Sequence, residues 1–312
     1  MMTMTQIESL CFTDASQHAR SVHDWEQTYD QLSPGRFASR LRQLCRGHFQ
    51  IFHEQLNRRI VQYGQSPAER MCFSIPLCTD SHGTQDCLAI LNNHEEFMFH
   101  APENTQVFAA TFARQQVLAL AALNLSPRSY RQLTAAPSLQ SPWQRTREVY
   151  QRVRLQLGQA LDCPPQHFNE ATAKLMEHGL LSGFLDLLGS VENPEKRLRP
   201  STPTRQYLVK MSQQIALESH DEPITIVDLC ERLHVSRRAL QYSFQTITST
   251  SPADYLRSVR LNAVRRRLVM SSPAELSIGD AAAQWGFYHL SHFAGQYKAL
   301  FGELPSQTLR QR

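Results

Sequence analysis

Three long polar side chains fall on one face of a short predicted helix near the C-terminal end of the chain. These are Arg238, Gln241 and Tyr242, in a helix whose N-cap is Ser236. Arginine and glutamine carry paired donors and acceptors that match the major-groove edges of guanine and adenine. Arg237 lies at the positive N-terminus of the same helix, where a phosphate is favoured. The pattern predicts a helix that contacts DNA bases through Arg238, Gln241 and Tyr242, and phosphate through Arg237.

The helix belongs to a unit that occurs twice in the sequence. Thr225 and Asp228 have the spacing of a capping box, and Ser277 and Asp280 repeat that spacing 52 positions later. Each box is followed by apolar residues at helical spacing, a tight turn and a second helix, which is helix-turn-helix organisation. In the second helix the displacement is 53, which indicates one residue inserted in the turn. The matching positions are Ser236 and His289, Leu240 and Phe293, Phe244 and Tyr297, and Pro252 and Pro305.

The second unit offers shorter side chains to DNA than the first. Ser291, Ala294 and Gly295 stand where the first unit has Arg238, Gln241 and Tyr242. We therefore expect the first unit to supply most of the base discrimination. Ser291 and His292 are the expected base-facing residues of the second unit, and Lys298 is its expected phosphate contact.

A single helix from Tyr255 to Met270 is predicted between the two units. At about 1.5 Å per residue it spans roughly 24 Å, a suitable spacer for two recognition helices in successive major grooves, which lie about 34 Å apart. Its arginines are expected to remain outside and to neutralise phosphates, with Arg257 and Arg265 as the named phosphate contacts. The outward arginines are Arg257, Arg260, Arg265, Arg266 and Arg267.

The charge of the chain is concentrated in this same region. From Thr204 onward there are thirteen basic and nine acidic residues, an excess of four that equals the net charge of the whole chain, +4. Such a segment indicates a polyanionic partner. No apolar run is long enough to span a bilayer, the first residues do not resemble a signal peptide, and the seven cysteines form no Cys-x-x-Cys pair. We expect a cytoplasmic protein that binds double-stranded DNA and no membrane.

The N-terminal part has a different pattern, and the fold class is therefore α+β. Short predicted strands separated by turn signals favour a small antiparallel barrel, cupin-like, or a sandwich, followed by helices at Trp143–Leu161 and Phe168–Leu188. The expected domains are residues 1–192 for effector binding and dimerisation, a linker at 193–203, and an all-α DNA-binding domain at 204–312. The predicted strands are Phe49–Glu54, Arg58–Tyr63, Met71–Pro76, Cys87–Leu91, Glu96–His100 and Thr105–Phe112.

The helix predicted at Phe168–Leu188 has an apolar surface that is wide for a single short helix. Packing within its own domain and a homodimer interface explain that surface equally well, and the sequence leaves both open.

A small barrel is also a natural place for one ligand. An ammonium effector could stack on aromatic rings by cation–π attraction, with Glu54 or Glu96 as the counter-charge. Ordinary core aromatics and surface acids are the alternative explanation. The expected aromatic lining is Trp25, Phe73, Phe97 and Phe99.

A metal enzyme on a cupin-like barrel is a remote alternative. The histidines and acids concerned lack the close His-x-His pair with a downstream carboxylate that such a site needs. No Ser/His/Asp order, glycine-rich phosphate loop or paired-carboxylate motif is present, so we expect no catalytic centre, no metal and no prosthetic group. The residues concerned are His48, His53, Glu54, His94, Glu95, Glu96 and His100.

Long spaced motifs follow one another in order along residues 205–309. They are Ile226-x-x-Leu229-Cys230, Val235-Ser236-x-x-x-Leu240-x-x-x-Phe244, Ser251-Pro252-x-x-Tyr255, Arg260-Leu261-Asn262-Ala263, Ala281-x-x-x-Trp285-Gly286-Phe287 and Phe301-Gly302-x-x-Pro305. With these motifs the segment resembles the AraC/XylS family of regulators. The resemblance implies a transcriptional regulator that binds an operator, a small-molecule effector and RNA polymerase. Four positions depart from the usual family residue: Ser249 for glycine, His289 for aspartate, Gly295 for arginine and Thr308 for tyrosine.

Within that family, residues 25–37 and 227–241 are similar to activators of ethanolamine-utilisation operons. This similarity implies an activator that responds to ethanolamine together with adenosylcobalamin, the latter as an effector and not as a prosthetic group. A regulator of the same architecture that senses another small amine or an aromatic metabolite is the alternative.

Overall fold

The computed structural model describes residues 6–77, 87–134, 141–142, 147–164, 169–189, 201–219 and 224–310. The chain divides into two compact units that do not follow the sequence in order. The N-terminal unit consists of Met1–Thr28, Ala38–Asn57 and Gln62–Lys196, and the C-terminal unit consists of Tyr29–Phe37, Arg58–Val61 and Arg197–Arg312. The C-terminal unit therefore includes two short pieces of the segment that we expected to belong to the effector domain alone.

Within the described residues, ten strands form two sheets. The larger has the order β1-β3-β4-β9-β6-β7-β10, and the smaller has the order β2-β5-β8. The six predicted strands are confirmed as β4 to β9 with small shifts at their ends, whereas β1, β2, β3 and β10 were not predicted. One of the turn signals between the predicted strands, at residues 79–83, lies outside the described residues. The strands are β1 Gln6–Phe12, β2 Glu26–Gln31, β3 Ser39–Arg46, β4 Phe49–Leu56, β5 Ile60–Gln65, β6 Arg70–Leu77, β7 Cys87–Leu91, β8 Glu96–Ala101, β9 Thr105–Ala113 and β10 Ser141–Pro142.

The expected closed barrel is wrong for the described strands. The larger sheet has β1 at one edge and β10 at the other, and no ladder joins these edges in the described part of the chain. A barrel needs each strand to be paired on both sides, so the strands form an open antiparallel sheet with a separate three-stranded sheet. The mixed α and β composition is confirmed, whereas the cupin-like detail stays a prediction.

One face of the larger sheet is covered by helices, which together enclose the main apolar core of the N-terminal unit. Phe73 on β6 and Phe112 on β9 pack against Phe184, which lies on the last helix of this unit, α5. These helices are α2 Arg114–Asn124, α3 Pro127–Thr134, α4 Arg147–Asp162 and α5 Glu170–Gly189, whereas α1, Ala15–Ser21, contacts β1 and β3.

The leucines of α5 pack into this core, which explains the wide apolar surface of that helix. Leu181, Leu185 and Leu188 are buried, whereas Leu175 remains 75% exposed. Packing within its own unit therefore accounts for the apolar surface of α5. The homodimer stays a prediction, and this apolar surface no longer supports it.

The C-terminal unit is helical apart from the two short segments. Helix α6 packs against α8 and α9, and a short 3-10 helix at Pro305–Gln307 closes the unit. Of the expected linker, residues 193–200 lie outside the described residues, and the last three residues begin α6. The helices are α6 Ser201–Glu218, α7 Ile226–Arg232, α8 Arg237–Thr248, α9 Pro252–Val269, α10 Ile278–Ala283 and α11 Leu290–Phe301. Among the helices described, none is long and apolar enough to cross a bilayer.

Candidate nucleic-acid interface

Helix α7 and its turn place the start of α8. The capping box is formed: the backbone N–H of Thr225 donates to Asp228 Oδ2 at 2.8 Å, and the backbone N–H of Asp228 donates to Thr225 Oγ1 at 3.2 Å. The first of these bonds holds the pKa of Asp228 below its ordinary value. In the turn, His234 adopts a left-handed conformation, with φ of 53°, and Val235 N–H donates to the Cys230 carbonyl at 3.0 Å. These contacts terminate α7 and redirect the chain.

Helix α8 has one buried face and one polar, exposed face. Ser236 caps it by accepting a hydrogen bond from Ala239 N–H at 3.2 Å. Leu240 and Phe244 are fully buried, and the Phe244 ring packs edge-on against Tyr255 at a centroid distance of 5.2 Å. The predicted DNA-contacting side chains are all exposed on this helix, namely Arg237, Arg238, Gln241 and Tyr242.

Sequence reasoning missed one residue beside this face. The guanidinium carbon of Arg205, on α6, lies 4.7 Å from the ring centroid of Tyr242. A cation over an aromatic face is attracted electrostatically, so Arg205 orients the Tyr242 ring and adds positive charge next to the base-facing residues. The signal in the sequence was only that Arg205 is basic, since nothing local predicts a contact with a residue 37 positions away.

Helix α9 does not present all its arginines to solvent, so the expectation that all five lie outside is wrong. Arg260 lies 5.7 Å from the ring centroid of Phe287, and burial lowers its pKa. Arg265 donates to Glu303 Oε1 at 2.7 Å and is 13% exposed, and Arg266 binds the fully buried Asp30. These side chains stabilise the unit internally, because a guanidinium that leaves water needs acceptors or an aromatic face.

The other α9 arginines remain nearer the surface. Arg257 pairs with Asp254 three residues away at 2.7 Å and is 41% exposed, and Arg267 is exposed. Of the two expected phosphate contacts on this helix, Arg257 is thus accessible, whereas Arg265 is occupied by Glu303.

Helices α10 and α11 repeat the first pair with a lengthened turn. Ser277 accepts from Asp280 N–H at 3.0 Å, and Phe287 N–H donates to the Ala282 carbonyl at 3.0 Å. The latter bond lies 52 positions after its counterpart in the first pair, whereas the N-cap His289 lies 53 positions after Ser236. The extra residue therefore lies between Phe287 and His289. No capping hydrogen bond joins the His289 side chain to the described residues of α11.

The outward face of α11 carries small or flexible side chains. Phe293 and Tyr297 are buried, whereas Ser291, His292 and Lys298 are exposed as predicted. A methyl group on exposed Gly295 would meet no heavy atom within 4 Å in the described structure.

A buried network fixes the C-terminal end of this helix pair. Tyr297 and Thr308 share a hydrogen bond of 2.7 Å between their hydroxyls, and Thr308 donates to Glu303 at 3.0 Å. Thr308 therefore has a structural role here.

The expected effector residues of the N-terminal unit fall into two groups. Trp25 packs edge-on against both Phe52 and Phe97, with centroid distances of 5.6 Å, and donates from its indole to Gln50 at 3.2 Å. Phe73 lies in the other apolar cluster, beside the helices. Phe99 is half-buried and Glu96 is exposed.

Glu54 is 2% exposed, and it lies on β4 two residues after Phe52, so both point to the same face of that strand. Its Oε1 lies 2.9 Å from Nε2 of the fully buried His18, and Gln62 donates to its Oε2 at 3.5 Å. His18, which sequence reasoning missed, also bonds Ser39 at 2.6 Å. A buried carboxylate with polar partners near an aromatic group can hold a cationic amine.

The residues of the metal-enzyme alternative are not gathered. His53 and Glu54 are adjacent on β4 and point to opposite faces, and burial lowers the pKa of His53 to about 4. The imidazole ring of His53 stacks on the ring of Phe108, with a centroid distance of 3.9 Å. Within the described residues, no group of three or more histidine, cysteine, aspartate or glutamate side chains is placed to hold a metal ion.

The comparisons with known proteins concern mainly the helical region. Residues 229–311 match the family model described as "Helix-turn-helix domain". The chain is 33% identical over 136 residues to the "Probable thc operon regulatory protein" of Rhodococcus erythropolis, which is 43% of this chain and 40% of the relative. It is 30% identical over 155 residues to the "XylDLEGF operon transcriptional activator 1" of Pseudomonas putida, which is 49% of this chain and 45% of the relative.

Among solved structures, the chain is similar to a probable AraC family transcriptional regulator from Rhodopseudomonas palustris. The identity is 31%, the TM-score is 0.31, and the match covers 34% of this chain and 99% of that one. The chain spans less than half the length of the two curated relatives above. Residues 229–311 thus match a helix-turn-helix domain, and the two curated relatives, an operon regulator and an operon activator, support the resemblance to transcriptional regulators.

Proposed function

We propose that this chain is a sequence-specific DNA-binding transcriptional regulator of the AraC/XylS type that activates an operon. The observation that carries the proposal is the division of α8 into a buried apolar face and an exposed face with Arg238, Gln241 and Tyr242. The names of the relatives describe an operon regulator and an operon activator, which supports a regulatory role and the positive sign. RNA polymerase is then the expected protein partner.

Both helix pairs act on the DNA in this proposal. Helix α9 has 18 residues and spans about 27 Å, so the pairs at its two ends can enter successive major grooves on one side of a duplex. Arg238, Gln241 and Tyr242 contact bases in the first groove, and Ser291 and His292 lie in the second. Arg237, Arg257 and Lys298 contact phosphates, which adds affinity but no sequence information.

Selection of bound duplexes from a randomised DNA pool tests this proposal with the full chain. We expect a motif with two blocks whose centres lie about one helical turn apart, and an affinity that falls steeply with salt because counterions are released. Enrichment of no motif, with binding that depends on salt alone, would contradict sequence-specific recognition.

The N-terminal unit is the proposed effector domain, and a small amine is the proposed effector. Glu54 supplies a buried carboxylate two residues after Phe52 on β4, and the Trp25 ring packs edge-on against both Phe52 and Phe97. Ethanolamine with adenosylcobalamin is the specific candidate, from the similarity of residues 25–37 and 227–241 to ethanolamine activators. The thc and XylDLEGF names of the relatives give that candidate no support, so another amine or an aromatic metabolite is the alternative.

Thermal unfolding with each compound separates these effectors, because a ligand that binds only the folded state raises stability. The assay uses ethanolamine and adenosylcobalamin, singly and together, and then a panel of amines and aromatic acids. A shift that needs both compounds supports the ethanolamine regulator. Glu54→Gln is the matched variant, since it removes the charge and keeps the shape, and it should abolish the shift produced by an amine. An unchanged shift in Glu54→Gln would exclude Glu54 as the counter-charge.

A further inference from the structure

Two short segments from the N-terminal half of the sequence fold as part of the C-terminal unit. They are Tyr29–Phe37 and Arg58–Val61, and we call them together the clamp. The segments are joined to each other, since Leu32 N–H donates to the Arg59 carbonyl at 2.8 Å and Arg59 N–H donates to Ser33 Oγ at 2.9 Å. The clamp is therefore an ordered element, and its contacts with the helices can be followed one by one.

The first contact is with the middle of α9. Gln31 N–H donates to Asn262 Oδ1 at 2.9 Å, and Asn262 Nδ2 donates to the Gln31 carbonyl at 2.8 Å. The side-chain amide of Asn262 thus pairs with the backbone of Gln31 as a neighbouring strand would. Gln31 and Asn262 are 1% and 4% exposed, so loss of either bond leaves a buried polar group unsatisfied. The ion pair of Arg266 with buried Asp30 lies one turn further along α9.

The second contact is with the C-terminal end of α11. The side-chain amide of Gln31 donates to the Leu300 carbonyl at 2.7 Å, and Gly35 N–H donates to the same carbonyl at 2.9 Å. The last carbonyls of a helix have no partner within the helix, so these bonds satisfy a group that otherwise needs water. The approach is close, because a methyl group on Gly302 would lie 2.8 Å from Cγ of Arg36.

The third contact is with the C-terminal end of α8. The guanidinium of Arg59 donates to the carbonyls of Thr248 and Ser249 at 3.4 and 3.5 Å. A cation at this end of a helix also interacts favourably with the helix dipole. The clamp therefore contacts the ends of both helices that carry the DNA-facing residues, as well as the helix that separates them.

From these contacts we propose that the clamp sets the distance and angle between α8 and α11, and so determines which spacing of half-sites the protein accepts. Gln31 and Asn262 are positioning residues in this mechanism: they touch no DNA and act through the two recognition helices. The inference rests on the proposed function, because spacing has meaning only for a protein that binds two blocks of DNA.

The test compares Gln31→Ala and Asn262→Ala with the full wild-type chain on the DNA found by selection. Three duplexes are used: the complete operator, a duplex with only the block bound by α8, and operators with one base pair added or removed between the blocks. Gln214→Ala is the matched control, because Gln214 is an exposed glutamine of the same unit that bonds only Glu218 in the described structure. Fluorescence anisotropy gives the affinity for each duplex.

We expect each clamp variant to bind the complete operator at least tenfold more weakly, with less than a twofold change on the single block. The preference of the wild type for its native spacing should fall by a similar factor, because α11 is no longer held at one distance from α8. Gln214→Ala should match the wild type on all duplexes. The single-block affinity also reports the folded fraction of each preparation, so the ratio of the two affinities stays interpretable if a variant is less stable.

Three results would overturn the inference, and they differ. Clamp variants that keep the wild-type ratio and spacing preference would exclude the positioning role while leaving DNA recognition intact. A wild-type chain that binds no specific sequence would remove the proposed function and the clamp mechanism together. A purely stabilising role of the clamp predicts an equal loss on every duplex, which also contradicts the inference.

Discussion

The two helix pairs of the C-terminal unit share one architecture but differ at equivalent positions. The first pair caps its second helix with Ser236 and presents Arg238, Gln241 and Tyr242, whereas the second pair has His289 at the cap and Ser291, Ala294 and Gly295 on the outward face. At the opposite helix end the order reverses: α11 ends in Gly302, which adopts φ of 73° without strain, while α8 ends in Ser249, which adopts φ of 56°.

The comparison indicates that the pairs are specialised at different positions. The first pair has good local start signals and a face able to contact bases, but it carries a strained C-cap. The second pair has a weak N-cap on α11 and mostly small side chains on the outward face of that helix, but it has a favourable C-cap and an internal network through Arg265 and Glu303. The first is therefore expected to discriminate between sequences, and the second to add affinity and shape dependence.

The largest expected effect concerns base discrimination. Arg238→Ala should cost up to about 3 kcal/mol of specific binding, a factor on the order of 100, because a bidentate arginine contact to guanine is lost. Ser291→Ala and His292→Ala should each cost less than fivefold. Competition of specific against random duplex, titrated by anisotropy, measures the difference. Equal losses from Arg238→Ala and from the two α11 substitutions would contradict the division between the pairs.

The second effect concerns the C-caps. Gly302→Ala should destabilise the end of α11 by about 2 kcal/mol, since a left-handed conformation is unfavourable for a residue with a Cβ and that atom would lie 2.8 Å from Arg36 Cγ. Ser249→Gly should have the opposite sign and stabilise the end of α8 by about 1 kcal/mol. Hydrogen exchange of the two helices, followed by mass spectrometry, reports each local free energy. A stabilising Gly302→Ala would show that the backbone there relaxes.

What could be predicted from the sequence follows from the range of the interactions. The helix pairs, their caps and the inserted turn residue depend on neighbours within one or two turns of helix, so spacing and residue type are sufficient. Strands β4 to β9 were predicted for the same reason, because turn residues bound short apolar runs. The first three strands were missed, since in β1 and β3 polar and charged residues interrupt the apolar pattern.

Whether an individual arginine is exposed or pairs with a distant carboxylate could not be predicted in this way. Arg265 and Arg266 are adjacent on α9, yet one binds Glu303 and the other binds Asp30, which is 236 positions away in the sequence. Periodicity assigns a charged residue to the outside of a helix and contains no information about a distant carboxylate that arrives to pair with it. The same limit applies to Arg205 over Tyr242 and to the pair of Gln31 with Asn262.

A smaller effect is expected at the two N-caps. Ser236→Ala should cost about 1 kcal/mol, because Ala239 N–H loses its acceptor, and His289→Ser should stabilise α11 by a similar amount by supplying one. Hydrogen exchange of the first turn of each helix measures both. If His289→Ser left α11 unchanged, the first turn of that helix would already be satisfied by water, and the cap would not distinguish the pairs.

The smallest expected effect concerns Gly295, and it tests whether the lack of a side chain at this position of α11 contributes to DNA binding. Gly295→Ala should stabilise the helix by about 0.8 kcal/mol, because alanine has a higher helix propensity and no heavy atom of the described structure lies within 4 Å of the new methyl. Gly158→Ala in α4 is the matched control, since that glycine is equally open and far from the DNA-contacting residues in sequence. We expect Gly295→Ala to bind the complete operator within twofold of the wild type. A gain in stability accompanied by a loss of affinity of more than fivefold would mean that DNA approaches the backbone at Gly295, and the second pair would then recognise its groove by close fit rather than by side-chain contacts.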